Sequence, residues 1–261
     1  MPERYMPGYT PPIVSFMTRR SAETHAAFFL PQLKPGMRLL DCGCGPGTIS
    51  RGLAARVAPG EVIGVDVEVS QLELARQDPA NPSNLRYIQA GVYELPFLNA
   101  EFDAVFSHAL FEHLAEPVRA AQEIRRVLKP GGLVGLCSPD WDGFIFAPHD
   151  PEVEAAAKLF RRLQEAQGGN TAAGRKLGTW LEEAGFKNIK LSARYECPDD
   201  LAVMGSFLCD RLKRAPQQDD VFGRGWTDPE SLQRMLQAVQ AWEKRSDGLF
   251  ALAWVGAVAH A

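Results

Sequence analysis

The sequence has little excess charge and no long hydrophobic run. Its 261 residues include 28 Lys and Arg against 32 Asp and Glu, for a formal net charge of −4. Without a long basic stripe, the chain lacks the electrostatic signature of nucleic-acid binding. No apolar run approaches the roughly 20 residues of a transmembrane helix, and the N-terminus lacks a signal-peptide pattern. These absences predict a cytoplasmic protein with no nucleic-acid partner and no membrane span.

Cysteines are few and are not spaced as metal ligands. The five are Cys42, Cys44, Cys137, Cys197 and Cys209. An odd number without a Cys-x-x-Cys pair favours neither a disulfide framework nor a zinc site, so we expect no metal. Cys42 and Cys44 lie inside a glycine-rich turn, where we interpret them as small turn residues.

Glycines cluster in the stretch LLDCGCGPGT, residues 39–48. This stretch reads as the end of a buried strand, a turn and the start of a helix. Glycines adopt positive φ at little steric cost and leave the backbone open to a ligand, and the free N–H groups of the helix start face the same place. The pattern predicts a nucleotide-binding turn of the Rossmann type. The dinucleotide fingerprint would need a glycine where Thr48 stands, so NAD is the weaker alternative.

Several strings together resemble one family. The form Asp-x-Gly-x-Gly-x-Gly at residues 41–47 resembles motif I of class I S-adenosylmethionine (SAM)-dependent methyltransferases. FDAVFS at 102–107, EHL at 112–114 and RRVLKPGG at 125–132 are similar to further strings of that family. The resemblance is strong over residues 37–137. It is closest to small-molecule methyltransferases related to ubiquinone and menaquinone biosynthesis, and it implies SAM as the cofactor and S-adenosylhomocysteine as the product.

The resemblance also implies the fold. We expect an α/β, Rossmann-like, seven-stranded and mostly parallel sheet, with helices on both faces, an antiparallel last strand and a helical lid insertion. The expected segments are an N-terminal arm and helix closing the site (1–30), a SAM-binding core (31–140), a lid or substrate cap (141–175), and the rest of the core sheet with a helical insertion (176–261).

Three local expectations are specific enough to be checked. The fifth strand is predicted to span Leu133 to Cys137, and the aromatic stretch 138–149 after it is predicted to be irregular. Capping boxes, in which a Ser or Thr is followed three residues later by Glu, predict helix starts. The two candidate boxes are Ser70 with Glu73 and Thr227 with Glu230.

The candidate cofactor residues follow the predicted strand tips. Asp66 ends the second strand, where a carboxylate can accept hydrogen bonds from both ribose hydroxyls. The family usually has Asp where this chain has Gly91, so we expect backbone groups of Gly91 to Tyr93 to hold the adenine. The resemblance implies a cofactor site formed by Tyr9, Asp41, Gly43, Cys44, Gly45, Gly47, Thr48, Asp66, Val67, Gly91, Val92, Tyr93 and Ser107.

His108 is the first candidate for a catalytic base. It follows the fourth strand, and the pKa of histidine lies near neutrality. The alternative is that His108 lines the pocket without moving a proton. For His113 a structural role is favoured over a chemical one, and Trp141 and Phe144 either line an apolar pocket or pack within the lid. The candidate substrate-binding residues are Tyr5, His108, His113, Asp140, Trp141 and Phe144.

The predicted activity is methyl transfer from SAM, by in-line displacement, to a small and largely apolar or aromatic molecule. Two alternatives stay open: a methyltransferase acting on RNA or protein, and a protein that binds SAM without turning it over. Aminopropyl transfer is disfavoured, because it would need acidic residues gathered around an amine. The sequence is compatible with a monomer or a homodimer, and it leaves the methylated atom open.

Overall fold

A computed structural model of the chain describes residues 7–261, and in these residues seven strands form one sheet. The strands are β1 Leu39–Cys42, β2 Val62–Asp66, β3 Leu85–Gln89, β4 Phe102–His108, β5 Leu128–Ala147, β6 Lys187–Glu196 and β7 Leu249–His260. Their order is β3-β2-β1-β4-β5-β7-β6. Neighbours from β3 to β5 are parallel, whereas β7 is antiparallel to both β5 and β6. The predicted fold class is confirmed.

Helices lie on both faces of the sheet, because its central strands are apolar on both faces. Leu40 of β1, Ile63 of β2 and Val105 of β4 are fully buried. Separate apolar clusters cover the two faces. The helices are α1 Pro11–Thr18, α2 Ala22–His25, α3 Thr48–Val57, α4 Val69–Gln77, α5 Pro117–Val127, α6 Pro151–Ala166, α7 Ala173–Glu183, α8 Leu201–Asp219 and α9 Pro229–Trp242.

The prediction that the chain becomes irregular after Cys137 is wrong. Strand β5 continues to Ala147, and its second part pairs with β7 on either side of an irregularity between Asp140 and Ile145. The 12-residue β7 supplies backbone partners to residues 138–140 and 145–147, so these parts of the aromatic stretch satisfy their N–H and C=O groups as a strand. Both strands therefore project beyond the rest of the sheet.

Four helices stand over this projection and form what we call the cap: α1, α6, α8 and α9. They share one apolar cluster with the ends of β5 and β7. Within this cluster, the ring centroids of Trp141 and Phe160 are 4.7 Å apart, and those of Phe16 and Phe207 are 5.1 Å apart. The cap thus combines segments from the beginning, middle and end of the chain.

Both predicted capping boxes are wrong, because acidic residues nearer the helix starts cap them instead. Helix α4 begins at Val69, and the carboxylate of Glu68 accepts a hydrogen bond from Ser70 N. In α9 the first helical position is Pro229, a residue whose fixed φ suits that position, and Asp228 caps the helix. In the part of the chain that the structure describes, no helix combines the length and the apolarity needed to cross a membrane.

Candidate active site

The glycine turn between β1 and α3 has the conformation that its sequence predicts. Gly43, Gly45 and Gly47 all have positive φ, at 71°, 52° and 77°, where a side chain would be strained. A Cβ atom at Gly47 would collide with the ring of Tyr87. Gly43 and Gly45 line neighbouring cavities, whereas Gly47 lines neither of them and packs against Tyr87.

Asp41, next to this turn, is a buried carboxyl group. It is 2% exposed and accepts a 2.6 Å hydrogen bond from the Ser50 hydroxyl. Burial raises its pKa to about 7, because the charged form loses its hydration. No Lys or Arg within residues 7–261 forms an ion pair with it. A cationic group of a ligand would therefore find an unpaired carboxylate here.

Asp66, at the tip of β2, connects that strand to the glycine turn. Its Oδ2 accepts a 2.9 Å hydrogen bond from Gly45 N, and its Oδ1 accepts one of the same length from Glu68 N. Burial raises its pKa. A carboxylate offers about four acceptor positions, so two remain for hydroxyl groups of a ligand, and Asp66 lines the cavity where these would lie.

This cofactor cavity has a volume of about 150 Å³. Of the predicted residues, it brings together Tyr9, Gly43, Asp66, Val67, Gly91, Val92, Tyr93, His108 and His113. A smaller adjoining space behind the turn is lined by Asp41, Gly43, Cys44, Gly45 and Thr48. Ser107 lines neither space, because its hydroxyl donates to the Cys42 carbonyl at 2.9 Å and connects β4 to β1.

A second cavity lies between the cofactor cavity and the cap, and we call it the acceptor cavity. Its walls are mostly apolar and include Phe16, Trp141, Phe160, Phe207, Leu252 and Trp254. Arg20, Ala109 and His113 line both cavities. The two cavities therefore adjoin at these three residues.

Two of the predicted substrate residues lie away from this junction. Both carboxylate oxygens of Asp140 are hydrogen-bonded to the guanidinium of Arg175, at 2.5 and 2.7 Å. Phe144 stacks on Phe146 and Phe250. Neither Asp140 nor Phe144 lines the two cavities. The remaining candidate, Tyr5, lies outside the described residues.

His108 lines the cofactor cavity but is a weak proton acceptor there. Its ring stacks on Trp254 with 4.6 Å between centroids, and the His25 ring meets it edge-on at 5.1 Å. Neither ring nitrogen has a hydrogen-bond partner among residues 7–261. Burial, then the positive charge of Arg20, lower the pKa of His108 well below 6.5. Its role as a base stays a prediction, and the geometry favours the pocket-lining alternative.

Two polar residues that line the acceptor cavity were not predicted as site residues. Glu112 is 3% exposed and lines the acceptor cavity. The guanidinium carbon of Arg20 lies 5.3 Å from the ring centroid of Phe16 and 5.7 Å from that of Trp254. Glu112 is part of the EHL string, so a signal was present in the sequence, whereas Arg20 follows α1 without any motif.

The chain matches known proteins along most of its length. Residues 40–136 match the model of a methyltransferase domain. An uncharacterised methyltransferase of Schizosaccharomyces pombe is 32% identical, over 88% of this chain and 87% of the relative. A demethylmenaquinone methyltransferase of Staphylococcus aureus is 34% identical, over 61% of this chain and 71% of the relative.

Among solved structures, the YcgJ protein of Bacillus subtilis has the same fold, with a TM-score of 0.58, 18% identity and coverage of 91% of this chain and 98% of that one. The sequence matches extend over the turn, the strand tips and the sheet that form the cofactor cavity. The chain therefore belongs to the class I SAM-dependent methyltransferase family.

Proposed function

We propose that this methyltransferase acts on a small, largely aromatic molecule that binds in the acceptor cavity. The observation that carries the proposal is the position of this cavity, which is walled by aromatic rings and adjoins the cofactor cavity at Arg20, Ala109 and His113. Aromatic walls with a few polar groups are typical of small-molecule sites, and flat rings pack on them with a further gain of about 0.5–1.5 kcal/mol per pair.

The residues around the glycine turn fit the parts of SAM. Asp66 would accept hydrogen bonds from the ribose hydroxyls, and backbone groups of Gly91 to Tyr93 would contact the adenine. Asp41 would pair with the ammonium group, which supplies the cation that this buried carboxyl lacks. When bound, SAM supplies an electrophilic methyl group on a positively charged sulfur.

The protein's contribution is mainly to hold the acceptor in line with that methyl group and to exclude water. Holding two reactants in reactive geometry can supply about 7–11 kcal/mol of the barrier. Arg20 stands at the junction, and its guanidinium lies over the rings of Phe16 and Trp254. An acceptor with a negatively charged substituent would find its partner there.

The relatives support the class of acceptor. A protein named demethylmenaquinone methyltransferase, whose named substrate is a ring compound, is 34% identical over 61% of this chain. A flat ring of this kind is compatible with the aromatic walls. The net charge of −4 disfavours RNA as the acceptor, because nucleic-acid binding relies on basic residues.

The test uses SAM labelled in its methyl group. The protein is incubated with it and with a fractionated cell extract, beside the Asp66→Ala variant as the control with an impaired cofactor site. We expect label in the organic-soluble fraction with the wild type and much less with the variant. Label in RNA or protein would replace the proposed class of acceptor, and tight SAM binding without any transfer would favour the non-catalytic alternative.

A further inference from the structure

We propose that Glu112 is the general base that removes a proton from the methyl acceptor, an inference that rests on the proposed function of the acceptor cavity. This proposal implies that the atom of the acceptor that receives the methyl group carries a hydrogen when the acceptor binds, as in a hydroxyl group or an acidic C–H. Such acceptors need a base, because the lone pair that attacks the methyl group is otherwise held in a bond to hydrogen.

The position of Glu112 carries this inference. It belongs to the short 3-10 turn Phe111–His113, which begins three residues after the end of β4. Glu112 lines the acceptor cavity, and the next residue, His113, lines both cavities. Its Oε2 accepts a 2.9 Å hydrogen bond from Ser138. Its Oε1 lies 3.7 Å from Nε2 of His113, which is too far for a hydrogen bond. The carboxylate also accepts a hydrogen bond from the backbone N–H of Glu112 itself. We assign the proton taken from the acceptor to Oε1, the oxygen that Ser138 does not bind.

The backbone of Glu112 is held from the cap side. Its carbonyl oxygen accepts a 3.0 Å hydrogen bond from Gln164 Nε2 on α6 and a 2.8 Å hydrogen bond from Asn170 N. Together with the Ser138 bond, these contacts fix both the main chain and one carboxylate oxygen. Such fixation keeps a catalytic group in reactive geometry.

The surroundings of Glu112 suit a base that works near neutral pH. Burial raises its pKa to about 7, whereas the hydrogen bond from its own backbone N–H, the Ser138 hydrogen bond and the Arg20 charge lower it. The titratable neighbours His113 and Cys137 do not change their protonation near neutral pH. Burial lowers the pKa of His113 to about 3, and it raises that of Cys137 to about 12. A pKa near the working pH lets one group both accept and release a proton.

His108 is less suited to this task for two reasons. It lines the cofactor cavity and not the acceptor cavity. Its pKa is lowered well below 6.5 by burial and by Arg20, so it would hold a proton poorly. Glu112 has neither disadvantage, and carboxyl groups with a strongly raised pKa are found preferentially at functional sites.

The step balances without a further reactant. The acceptor gives its proton to Oε1 of Glu112, and the electron pair left behind forms the bond to the methyl carbon. The bond from that carbon to sulfur breaks, and its electron pair stays on the sulfur. Glu112 then releases its proton to water.

The first test needs neither SAM nor an acceptor. Infrared difference spectra between pH 5 and 9 report the carbonyl stretch of protonated carboxyl groups. In the wild type we expect a band of Glu112 that titrates near pH 7. This band should be lost in Glu112→Gln. It should persist in Asp41→Asn, which removes the other buried carboxyl group with a pKa of about 7. In Ser138→Ala the midpoint should rise, because the lost hydrogen bond stabilises the carboxylate.

The second test measures label transfer from SAM into the organic-soluble fraction of the extract. Glu112→Gln should lose about 10²- to 10⁴-fold in rate, the usual contribution of a general base, with SAM affinity and melting temperature nearly unchanged. The rise of the rate toward pH 7 should disappear in this variant and move to higher pH in Ser138→Ala. Glu116→Gln, at an exposed position of the same segment, is the matched control and should keep the wild-type rate.

Each outcome separates the two proposals. A Glu112→Gln rate within threefold of the wild type, with the pH profile unchanged, would overturn Glu112 as the base while leaving the acceptor cavity in place. The absence of a Glu112 band near pH 7 would overturn it as well. Label that goes to RNA or protein in the wild type would overturn the proposed function instead. If Glu112→Gln does not fold, Ser138→Ala still decides through the shift of its pH profile.

Discussion

The two cavities that adjoin at Arg20, Ala109 and His113 are lined in different ways. The cofactor cavity is lined largely by residues at or just after the carboxyl ends of β1, β2, β3 and β4, with two carboxyl groups fixed beside the glycine turn. The acceptor cavity is formed by side chains from the cap and from the projecting ends of β5 and β7. The residues of the cofactor cavity thus come mostly from a few short stretches of sequence, whereas those of the acceptor cavity lie far apart in the sequence.

A substitution in the glycine turn should have the largest effect, because it tests whether the cofactor cavity depends on backbone conformation. Gly47→Ala would place a Cβ against the Tyr87 ring at a φ of 77°. We expect a loss of about 2–5 kcal/mol in unfolding free energy, from left-handed strain of about 1–2 and overpacking of about 1–3 kcal/mol. Chemical denaturation measures it, and calorimetry should show SAM binding lost in parallel. Wild-type stability and affinity would show that the turn tolerates a side chain.

The pH dependence of SAM binding tests the buried carboxyl of the cofactor side. The pKa of Asp41 is raised to about 7, so its ionised fraction falls about tenfold for each pH unit below 7. Because the ammonium of SAM pairs with the ionised form, affinity should rise with pH up to about 7 and level off above it. Calorimetry from pH 5 to 8 measures this, and Asp41→Asn should give a weaker and flat profile. A slope that survives in Asp41→Asn would assign the titration to another group.

Asp66 tests the cofactor side separately, because it lines the cofactor cavity and not the acceptor cavity. Asp66→Ala should weaken SAM binding by about 1–3 kcal/mol, the usual loss for hydrogen bonds to a charged group. Titration calorimetry with SAM and with S-adenosylhomocysteine should give the same loss, since both carry the ribose. A variant with unchanged affinity for either would remove Asp66 from the ribose site.

Phe16 tests the acceptor side, with the smallest expected effect. Its ring packs on Phe207 at 5.1 Å and lines only the acceptor cavity of the two. Phe16→Leu should raise the KM for the acceptor severalfold, because an aromatic contact contributes about 0.5–1.5 kcal/mol beyond its area. The Kd for SAM should stay the same. A change in SAM affinity of equal size would show that the two cavities are not independent.

The difference between the cavities also explains what could be predicted from the sequence. The glycine turn, Asp66 and the strand order are encoded by contiguous strings, and the fold class was predicted from them. The role proposed for Glu112 could not be predicted from its string, which contains two titratable residues, Glu112 and His113. Only the fold shows that Glu112 lines the acceptor cavity alone, whereas His113 lines both cavities. Asp140 was named as a substrate residue, yet its partner Arg175 lies 35 residues away in sequence, a pairing that no local pattern encodes.

The extension of β5 has a similar cause. Residues 138–147 contain proline, glycine and aromatic residues, which read as a loop when taken alone. Their strand conformation depends on β7, more than 100 positions later in the chain. Local sequence predicts the element types well where the hydrogen-bond partner lies in the same turn or helix, and poorly where the partner is a distant strand.

The projection of β5 and β7 beyond the sheet has a consequence for how this enzyme can change. The projecting ends carry the cap on a support separate from the strand tips that form the cofactor cavity. Substitutions among the cap helices can therefore reshape the acceptor cavity while the residues of the glycine turn and the strand tips stay unchanged. The lining of the acceptor cavity can thus vary in sequence while the cofactor cavity is kept.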